Sequence, residues 1–365
     1  MNFKKIFAVA MVFTGTVVGA GFASGQEIWL FFGRYGAAGF AGVLLTGIIL
    51  SICGAGIILG AYRGEYTSYQ SFCYVIGGRK SAKILSFLGS LFMLSCFCIM
   101  LAGSGAMFSQ ELNMPYIIGV IFMAAFCYII FLFGIKGIMI ISCMLTPIML
   151  TGITILGIYS LTCDCRAAVA NYSSLLTVSS SVISAIIYVS YNLLSVPPVI
   201  ISMREMIPSK KGAVAAGLLG GIILCLAGLF MYFASLSNNF LSEEIPALAL
   251  AHKVGENFGV FYGITIYFSM VTTALSNGYG FIRQCEEKLP HISFPVLAAF
   301  VVLFCSIASF LGFSRLVSTL YMSIGYAAIL LTFLLVFYSV KSLKTLTANS
   351  HIQSRRRISS TQKSL

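Results

Sequence analysis

Long runs of apolar residues dominate the chain, and short polar segments separate them. A transmembrane helix needs about 20 apolar residues to cross about 30 Å of hydrocarbon. Ten runs reach this length, and they lie at residues 6–32, 36–62, 84–109, 115–133, 138–161, 179–203, 212–237, 258–282, 292–311 and 317–340. The pattern predicts an all-α integral membrane protein with ten transmembrane helices. Its natural environment is then the lipid bilayer.

Two of the ten runs are irregular, and they are five runs apart. The first contains GTVVGAGFASGQEI, residues 15–28, with four glycines. Each glycine costs a helix interior about 1 kcal/mol relative to alanine. The sixth contains SAIIYVSYNLLSVPPVI, residues 184–200, and each of its two prolines costs about 3 kcal/mol in a helix interior. We therefore expect helices 1 and 6 to be discontinuous.

Matching interruptions in two halves of a membrane protein indicate an inverted-repeat transporter. Five crossings are an odd number, so the second half enters the membrane inverted. We expect a 5+5 inverted repeat within one transmembrane domain, residues 1–340, with repeat one at about 6–161 and repeat two at about 179–340. The basic tail, residues 341–365, is predicted to be cytoplasmic and disordered.

The charge distribution sets the orientation and removes one class of partner. Only 9% of residues are charged, against about 25% in a soluble domain. The net charge is +12, but 18 of the 22 basic residues lie on one side of the predicted topology. The other four are Arg34, Arg166, Lys253 and Arg315. This is the positive-inside pattern, so both termini are predicted to be cytoplasmic and no nucleic-acid partner is expected.

Three further segments carry minor predictions. Residues 63–83 are expected to form an amphipathic helix on the inner surface, and residues 238–257 have room for a helical lid on the outer side. Cys163 and Cys165 flank Asp164 in an outer loop, where they could oxidise. No Cys/His spacing suggests a resident metal, and no obligate protein partner is evident.

Unwound backbone inside hydrocarbon needs partners, because each unpaired N–H or C=O group costs several kcal/mol. At the first interruption, a helix resuming near Ser24 would offer amide groups to a carboxylate, and the carbonyls before it would suit a cation. The substrate site predicted from the first run is Gly19, Ala20, Gly21, Phe22, Ala23, Ser24, Gly25, Gln26 and Glu27. The sixth run adds Tyr188, Ser190, Tyr191, Asn192 and Ser195.

Glu27 is the one acidic residue that interrupts an apolar run. An ionisable group within a membrane span is a functional-site hypothesis by default. The alternative is that Glu27 lies near the outer end of a tilted helix and only caps or gates it.

These features resemble a known family. GTVVGAGFASGQEI, the ten runs and the chain length are similar to the YkvI-like bacterial membrane proteins over nearly the whole chain. More distantly, Gly19, Ala20 and Gly21 in a broken first helix resemble the amino acid–polyamine–organocation superfamily, which has the LeuT fold. The resemblance implies that substrate amino and carboxylate groups are held at the breaks of helices 1 and 6, in a bacterial plasma membrane.

A second match concerns Thr272 and Thr273 in the eighth run, which resemble the paired hydroxyls of a sodium site in sodium-coupled members. In those members carbonyls of helix 1 complete the site, and by position they would be Gly15 and Val18. The alternative is ordinary helix–helix hydrogen bonding by the two hydroxyls. Phe22 stands where a second sodium site would need Asn, so one sodium ion is expected at most.

Together the patterns predict a secondary active transporter of a small molecule, an amino acid or related amine, with sodium as a coupling ion and no other cofactor. Two alternatives remain open: a permease-like nutrient sensor without net transport, and a proton-coupled transporter. The chain lacks paired buried acids and buried histidine, so no enzyme activity is expected.

Overall fold

The computed structural model describes residues 3–163, 175–236 and 245–362, and every regular element within these ranges is helical. The described ranges contain fourteen α-helices, which we number in chain order. Their bounds are α1 Phe3–Val17, α2 Ala20–Ala23, α3 Gln26–Phe31, α4 Ala37–Arg63, α5 Tyr69–Glu111, α6 Tyr116–Leu132, α7 Gly134–Cys163, α8 Leu175–Ser202, α9 Lys210–Ser235, α10 Pro246–Val254, α11 Glu256–Lys288, α12 Phe294–Ala308, α13 Phe313–Ala327 and α14 Ile329–Gln362.

Seven helices in the described ranges are long and apolar enough to cross a membrane. They are α4, α5, α7, α8, α9, α11 and α12, the last together with the 3-10 turn that follows it. The shorter α6 is also apolar. Each of the ten predicted runs carries a helix or a group of helices, so the chain is an integral membrane protein.

The first predicted run is divided among α1, α2 and α3. Val18 and Gly19 lie between α1 and α2, and Ser24 and Gly25 lie between α2 and α3. Gly25 has φ +79°, a left-handed conformation that costs a residue with a Cβ about 1–2 kcal/mol. Glycine at this position therefore allows the second interruption.

The sixth predicted run is one continuous helix, so the predicted discontinuity of helix 6 is wrong for this structure. α8 passes through Pro197 and Pro198 and ends at Ser202. The prolines lie in the last two turns, and their fixed φ near −65° fits a helix, but each removes the backbone donor to the carbonyl four residues earlier. Ser195 Oγ and Ser202 Oγ each donate to a carbonyl of α8 at 2.9 Å.

The predicted surface helix at 63–83 exists as the beginning of α5. A capping box starts α5: Ser68 Oγ accepts from Ser71 N at 3.1 Å, and Ser71 Oγ accepts from Ser68 N at 3.0 Å. Gly78, with φ +67°, interrupts the helical geometry. The surface segment is thus joined to the third predicted span through a kink.

The tenth predicted run and the tail differ from expectation. A turn at Ala328 separates α13 from α14, and α14 continues to Gln362. The predicted disorder of the tail is therefore wrong over residues 342–362. Residues 329–362 contain neither glycine nor proline, so the sequence carries no strong stop signal within α14.

The helices pack in a pattern that recurs when runs one to five are exchanged with runs six to ten. α1 packs against α9, and α8 packs against α4; α1 packs against α7, and α8 packs against α13 and α14. In the same way α5 with α6 matches α11 with α12, and α7 with α11 matches α5 with α13 and α14. Helices five runs apart also touch: α1 with α8, α4 with α9, α5 with α11 and α6 with α12.

The structure describes only in part the loops predicted to be on the outer side. α10 places a helix in the second half of the predicted lid, and it packs against α7, α9 and α11. Asp164, Cys165, Arg166 and residues 238–244 lie outside the described residues, so the predicted oxidation of Cys163 with Cys165 is not tested.

Candidate substrate and cation site

Backbone amides at the first interruption are buried within the bundle. Residues 10–25 are all buried. The amide groups of Ala20, Gly21 and Phe22 have no hydrogen-bond acceptor among the described residues. A buried amide without a partner costs about as much as a lost hydrogen bond. These three donors are therefore candidates to bind an acceptor group of a ligand.

The carbonyls at the second interruption already have protein partners. Tyr262 Oη of α11 donates to Ala23 O at 2.8 Å, and Ala247 N of α10 donates to Ser24 O at 3.0 Å. Ser24 Oγ donates to Gly21 O at 3.2 Å. The sequence predicts that the helix resumes near Ser24. In the structure it resumes at Ala20 and again at Gln26. The amides without acceptors consequently lie earlier in the chain than expected.

Four residues predicted to bind sodium meet where α1 and α11 pack together. Thr273 Oγ1 lies 3.3 Å from Gly15 O and 3.1 Å from Val18 O. One hydroxyl proton cannot fully satisfy two carbonyls. The neighbouring Thr272 Oγ1 donates to Ser269 O at 3.1 Å. Two hydroxyls and three carbonyls are thus buried close together, and a hard cation prefers oxygen ligands of this kind.

Thr146 of α7 also reaches this place, although the sequence analysis does not predict it. Its Oγ1 donates to Met11 O at 3.4 Å. A Cβ on Gly15 would lie 2.7 Å from Thr146 Oγ1 and 3.4 Å from Thr272 Cβ. Gly15 therefore has no room for a side chain, because α1, α7 and α11 converge on it. No sequence pattern separates Thr146 from the other threonines of α7.

Glu27 points from α3 toward α2 and α8. It is 4% exposed, and its Oε2 accepts a 2.8 Å hydrogen bond from Tyr191 Oη. A Cβ on Gly21 would overlap the Glu27 carboxyl group. The neighbouring Gln26 is half-buried at the start of α3. Two predicted site residues from different runs, Glu27 and Tyr191, are therefore in direct contact.

An aromatic cluster surrounds this contact. The Tyr188 ring centroid lies 5.3 Å from that of Phe31, 5.2 Å from that of Phe32 and 5.3 Å from that of Tyr191. The Tyr191 ring also lies 5.6 Å from Phe92 of α5. These rings pack α8 against α3 and α5, and they exclude water from the Glu27 carboxyl group.

The other predicted residues of α8 direct their polar groups elsewhere in this structure. Ser190 Oγ lies 2.7 Å from Thr332 Oγ1 of α14. Asn192 Nδ2 donates to Tyr188 O at 2.9 Å, and Ser195 Oγ donates to Asn192 O at 2.9 Å. Their predicted contact with substrate stays a prediction.

Two cavities lie outside the interruption. One of about 330 Å³ is polar and lies between the C-terminal ends of α8 and α11, where Arg283 pairs with Glu286 at 2.5 Å. The other, of about 390 Å³, is mainly apolar and lies between α5 and α11 near Glu111 and Val260. Neither is lined by residues 15–25, whose side chains and backbone are packed closely.

Comparisons of sequence place the chain beside two proteins of Bacillus subtilis (strain 168). It is 28% identical to the uncharacterized membrane protein YkvI over 331 residues, which is 88% of this chain and 92% of YkvI. It is 27% identical to the uncharacterized protein YyaD over 342 residues, or 91% and 96% of the two chains. The resemblance to the YkvI-like proteins is confirmed. No family model matches the sequence.

Solved structures show the fold. MhsT in complex with L-phenylalanine superposes with a TM-score of 0.62 and 16% identity, over 91% of this chain and 87% of MhsT. A mutant of the Eremococcus coleocola manganese transporter gives 0.58 and 12%, over 92% and 77%. Mhp1, a nucleobase-cation-symport-1 family transporter with bromovinylhydantoin bound, gives 0.52 and 14%, over 83% and 71%.

The bundle therefore has the LeuT fold. Two of the three neighbours are named as transporters, and the molecules or ions named with the three differ, so the fold alone does not identify a ligand of this chain.

Proposed function

We propose that the protein is a secondary active transporter of a small solute, an amino acid or related amine, that works by alternating access and is coupled to sodium. The observation that carries the proposal is the interrupted first span. Its backbone groups are buried at the centre of a bundle with a transporter fold. Non-helical backbone at membrane depth is tolerated where protein, water or a ligand supplies its partners.

The packing pattern supports a 5+5 inverted repeat with ten crossings. A two-fold operation that exchanges runs one to five with runs six to ten reproduces the packing pairs described above. Helices five runs apart touch each other, as helices close to such an axis would. The continuous α8 and the divided α1–α3 then represent corresponding helices in different conformations. The positive-inside charge pattern favours a plasma membrane location with both termini cytoplasmic.

The oxygen cluster between α1 and α11 supports sodium as the coupling ion. Gly15 O and Val18 O share the Thr273 hydroxyl, and the Thr272 hydroxyl and Ser269 O lie beside them. A sodium ion there would accept lone pairs from all five oxygens. It would also join α1 to α11, so ion binding would favour one arrangement of the bundle.

The amides of Ala20, Gly21 and Phe22 and the Glu27 carboxyl group support an amino acid or related amine as substrate. Buried donors suit a substrate carboxylate, and a buried carboxyl group suits an amine. The fold similarity to MhsT, which was solved with L-phenylalanine, favours the same class of ligand. Manganese and nucleobase transporters share the fold, so this choice depends on the site residues.

α10 would act as an outer lid over the second interruption of the first span. Ala247, in the first turn of α10, donates its backbone N–H to Ser24 O. Ala247, Leu248, Leu250 and Ala251 form the buried face of α10. Movement of α10 away from the bundle would remove this bond and open the second interruption. The lid would thus be linked directly to the broken span.

A counterflow experiment tests the proposal and separates it from a sensor. Purified protein in liposomes preloaded with an unlabelled amino acid should accumulate the labelled one, and a sodium gradient should increase initial uptake. A thermal-shift screen of the same protein with amino acids, in sodium and in potassium, should show ligand stabilisation by mass action. Stabilisation without counterflow would indicate a sensor. The absence of both stabilisation and counterflow would contradict both functions.

A further inference from the structure

The Glu27 carboxyl group is buried where a negative charge would need to be neutralised. Glu27 is 4% exposed, and Tyr191 Oη donates a hydrogen bond to its carboxyl group. The described residues contain three ion pairs, Arg63–Glu65, His252–Glu256 and Arg283–Glu286, and none of them includes Glu27. An ionised carboxylate buried without a cation costs several kcal/mol.

Among the residues that the structure describes, the groups that face Glu27 carry no positive charge. α3 packs against α2, α8, α9 and the 3-10 turn Gly33–Tyr35. The titratable groups on α8 are Tyr188 and Tyr191, and on α9 Tyr232 Oη donates to Gly36 O at 2.6 Å. Arg34 in the turn is exposed and donates to Tyr35 Oη at 2.6 Å. Only a proton or a bound cation is therefore left to neutralise the Glu27 carboxylate.

We propose that Glu27, with the Tyr191 hydroxyl, binds the ammonium group of the substrate and carries a proton when no substrate is bound. This inference rests on the proposed transport function and names the substrate class as primary amines. Gly21 lies beside both parts of the proposed site. The Glu27 carboxyl group contacts Gly21, and the Gly21 amide is one of the three amides without an acceptor. A substrate with a carboxylate and an ammonium group could bind the amides through the first and Glu27 through the second.

Substrate binding then releases one proton. A protonated Glu27 meets R–NH₃⁺, the carboxyl proton leaves to solvent, and the carboxylate retains the ammonium group as its ion pair. No covalent bond of the substrate changes. The substrate enters as a cation at this position and the proton leaves in exchange, so the net charge at Glu27 is the same before and after binding.

The linkage fixes the sign of the pH dependence. The bound state holds one proton fewer than the empty state, so raising the pH favours binding. Over the range in which the empty carboxyl group is protonated, the apparent affinity should rise about tenfold per pH unit. Sodium binding between α1 and α11 adds no proton to this balance, because its oxygens are carbonyls and hydroxyls.

The test measures proton release by the full-length protein in detergent, at a fixed sodium concentration and in weak buffer with a pH indicator. Each amino acid that stabilises the wild type is added, and its 2-hydroxy acid analogue is added as the matched probe. We expect about one proton released per bound amino acid and no binding of the hydroxy acid. Glu27→Gln keeps the shape of the side chain and should abolish the release.

Two controls make the outcomes decisive. Glu111→Gln alters an exposed carboxylate at the end of α5 and should release protons as the wild type does. Tyr191→Phe removes the hydroxyl on Glu27 Oε2 and should weaken amine binding by about tenfold. Amine binding without proton release, equal release in Glu27→Gln, or tight binding of hydroxy acids would overturn this inference but leave transport intact. If no amine binds the wild type, the proposed function fails and this inference fails with it.

Discussion

The first and sixth predicted spans both contain helix-breaking residues, but they fold differently. The first has four glycines within residues 15–25 and divides into α1, α2 and α3. The sixth has two adjacent prolines and remains one helix. Proline is the stronger helix breaker by intrinsic cost, yet the span that contains it is the continuous one.

The difference lies in where each span finds its hydrogen-bond partners. Polar side chains of α8 return to α8 itself: Asn192 bonds to Tyr188 O, and Ser195 bonds to Asn192 O. Glycines have no side chains to do this, so partners of the first span come from α10 and α11. The glycine-rich interruption is thereby tied to the surrounding bundle, whereas Asn192 and Ser195 of the proline-containing helix bond within that helix.

The largest expected effect comes from filling the space at Gly21. Gly21→Ala places a methyl group where the Glu27 carboxyl group lies. We expect loss of amino-acid counterflow and about 1–3 kcal/mol lower stability from overpacking. The control is Gly263→Ala in α11, whose new Cβ would meet the flexible end of Met107 at 3.3 Å. Counterflow retained by Gly21→Ala would show that the first interruption does not hold the substrate.

The next effect concerns the hydroxyl that joins the broken span to α11. Thr273→Val keeps the side-chain shape and leaves Gly15 O and Val18 O without this donor. We expect the stabilisation by sodium in a thermal-shift assay to disappear, with a loss of about 1–3 kcal/mol from the buried acceptors. Thr265→Val is the matched control, since its hydroxyl bonds to Phe261 O of its own helix at 3.1 Å. A sodium response equal to wild type in Thr273→Val would remove the proposed cation site.

The fold class could be predicted from sequence because it depends on local properties. Apolar runs of membrane length fix the helices, and the glycines at 19, 21 and 25 fix where the first span is interrupted. The continuity of α8 could not be predicted, because the intrinsic cost of a proline does not say whether the packing around a particular helix keeps that helix continuous. The extension of α14 agrees with a local property of the sequence, because residues 329–362 contain neither glycine nor proline, but the basic, Ser- and Thr-rich composition of the tail favours disorder.

The candidate site was predictable only where a residue type is unusual in a membrane span. Glu27 stands out as a buried acid, and Thr272 with Thr273 stand out by resemblance. Thr146 and Tyr262 do not, because threonine and tyrosine are common in apolar helices. Their roles arise from contacts across more than 100 positions of sequence: Thr146 reaches Met11, and Tyr262 reaches Ala23.

A smaller effect is expected at the second interruption. Tyr262→Phe removes the donor to Ala23 O, which is 2.8 Å away in the wild type. The expected cost is about 1 kcal/mol, measured as a lower melting temperature, with sodium binding kept. Tyr267→Phe on the same helix is the control, because its hydroxyl meets Ser104 Oγ at 3.3 Å, away from the interruption. If both variants lost the same stability, partners from α11 would not be special to the broken span.

The smallest effect is expected in the continuous helix α8. It tests whether α8 stays continuous, unlike the divided first span, in the other conformations of the proposed transport cycle. Ser195→Ala removes a buried hydroxyl that bonds within α8, so stability should fall by about 0.5 kcal/mol, the low end for one hydrogen bond, and counterflow should be retained. Ser202→Ala is matched to it, because Ser202 Oγ also donates to a carbonyl of α8 at 2.9 Å. Loss of counterflow in Ser195→Ala but not in Ser202→Ala would mean that α8 opens near Pro197 in another conformation. The sixth span would then act as the sequence predicts, and the two spans would differ only in the state in which each is broken.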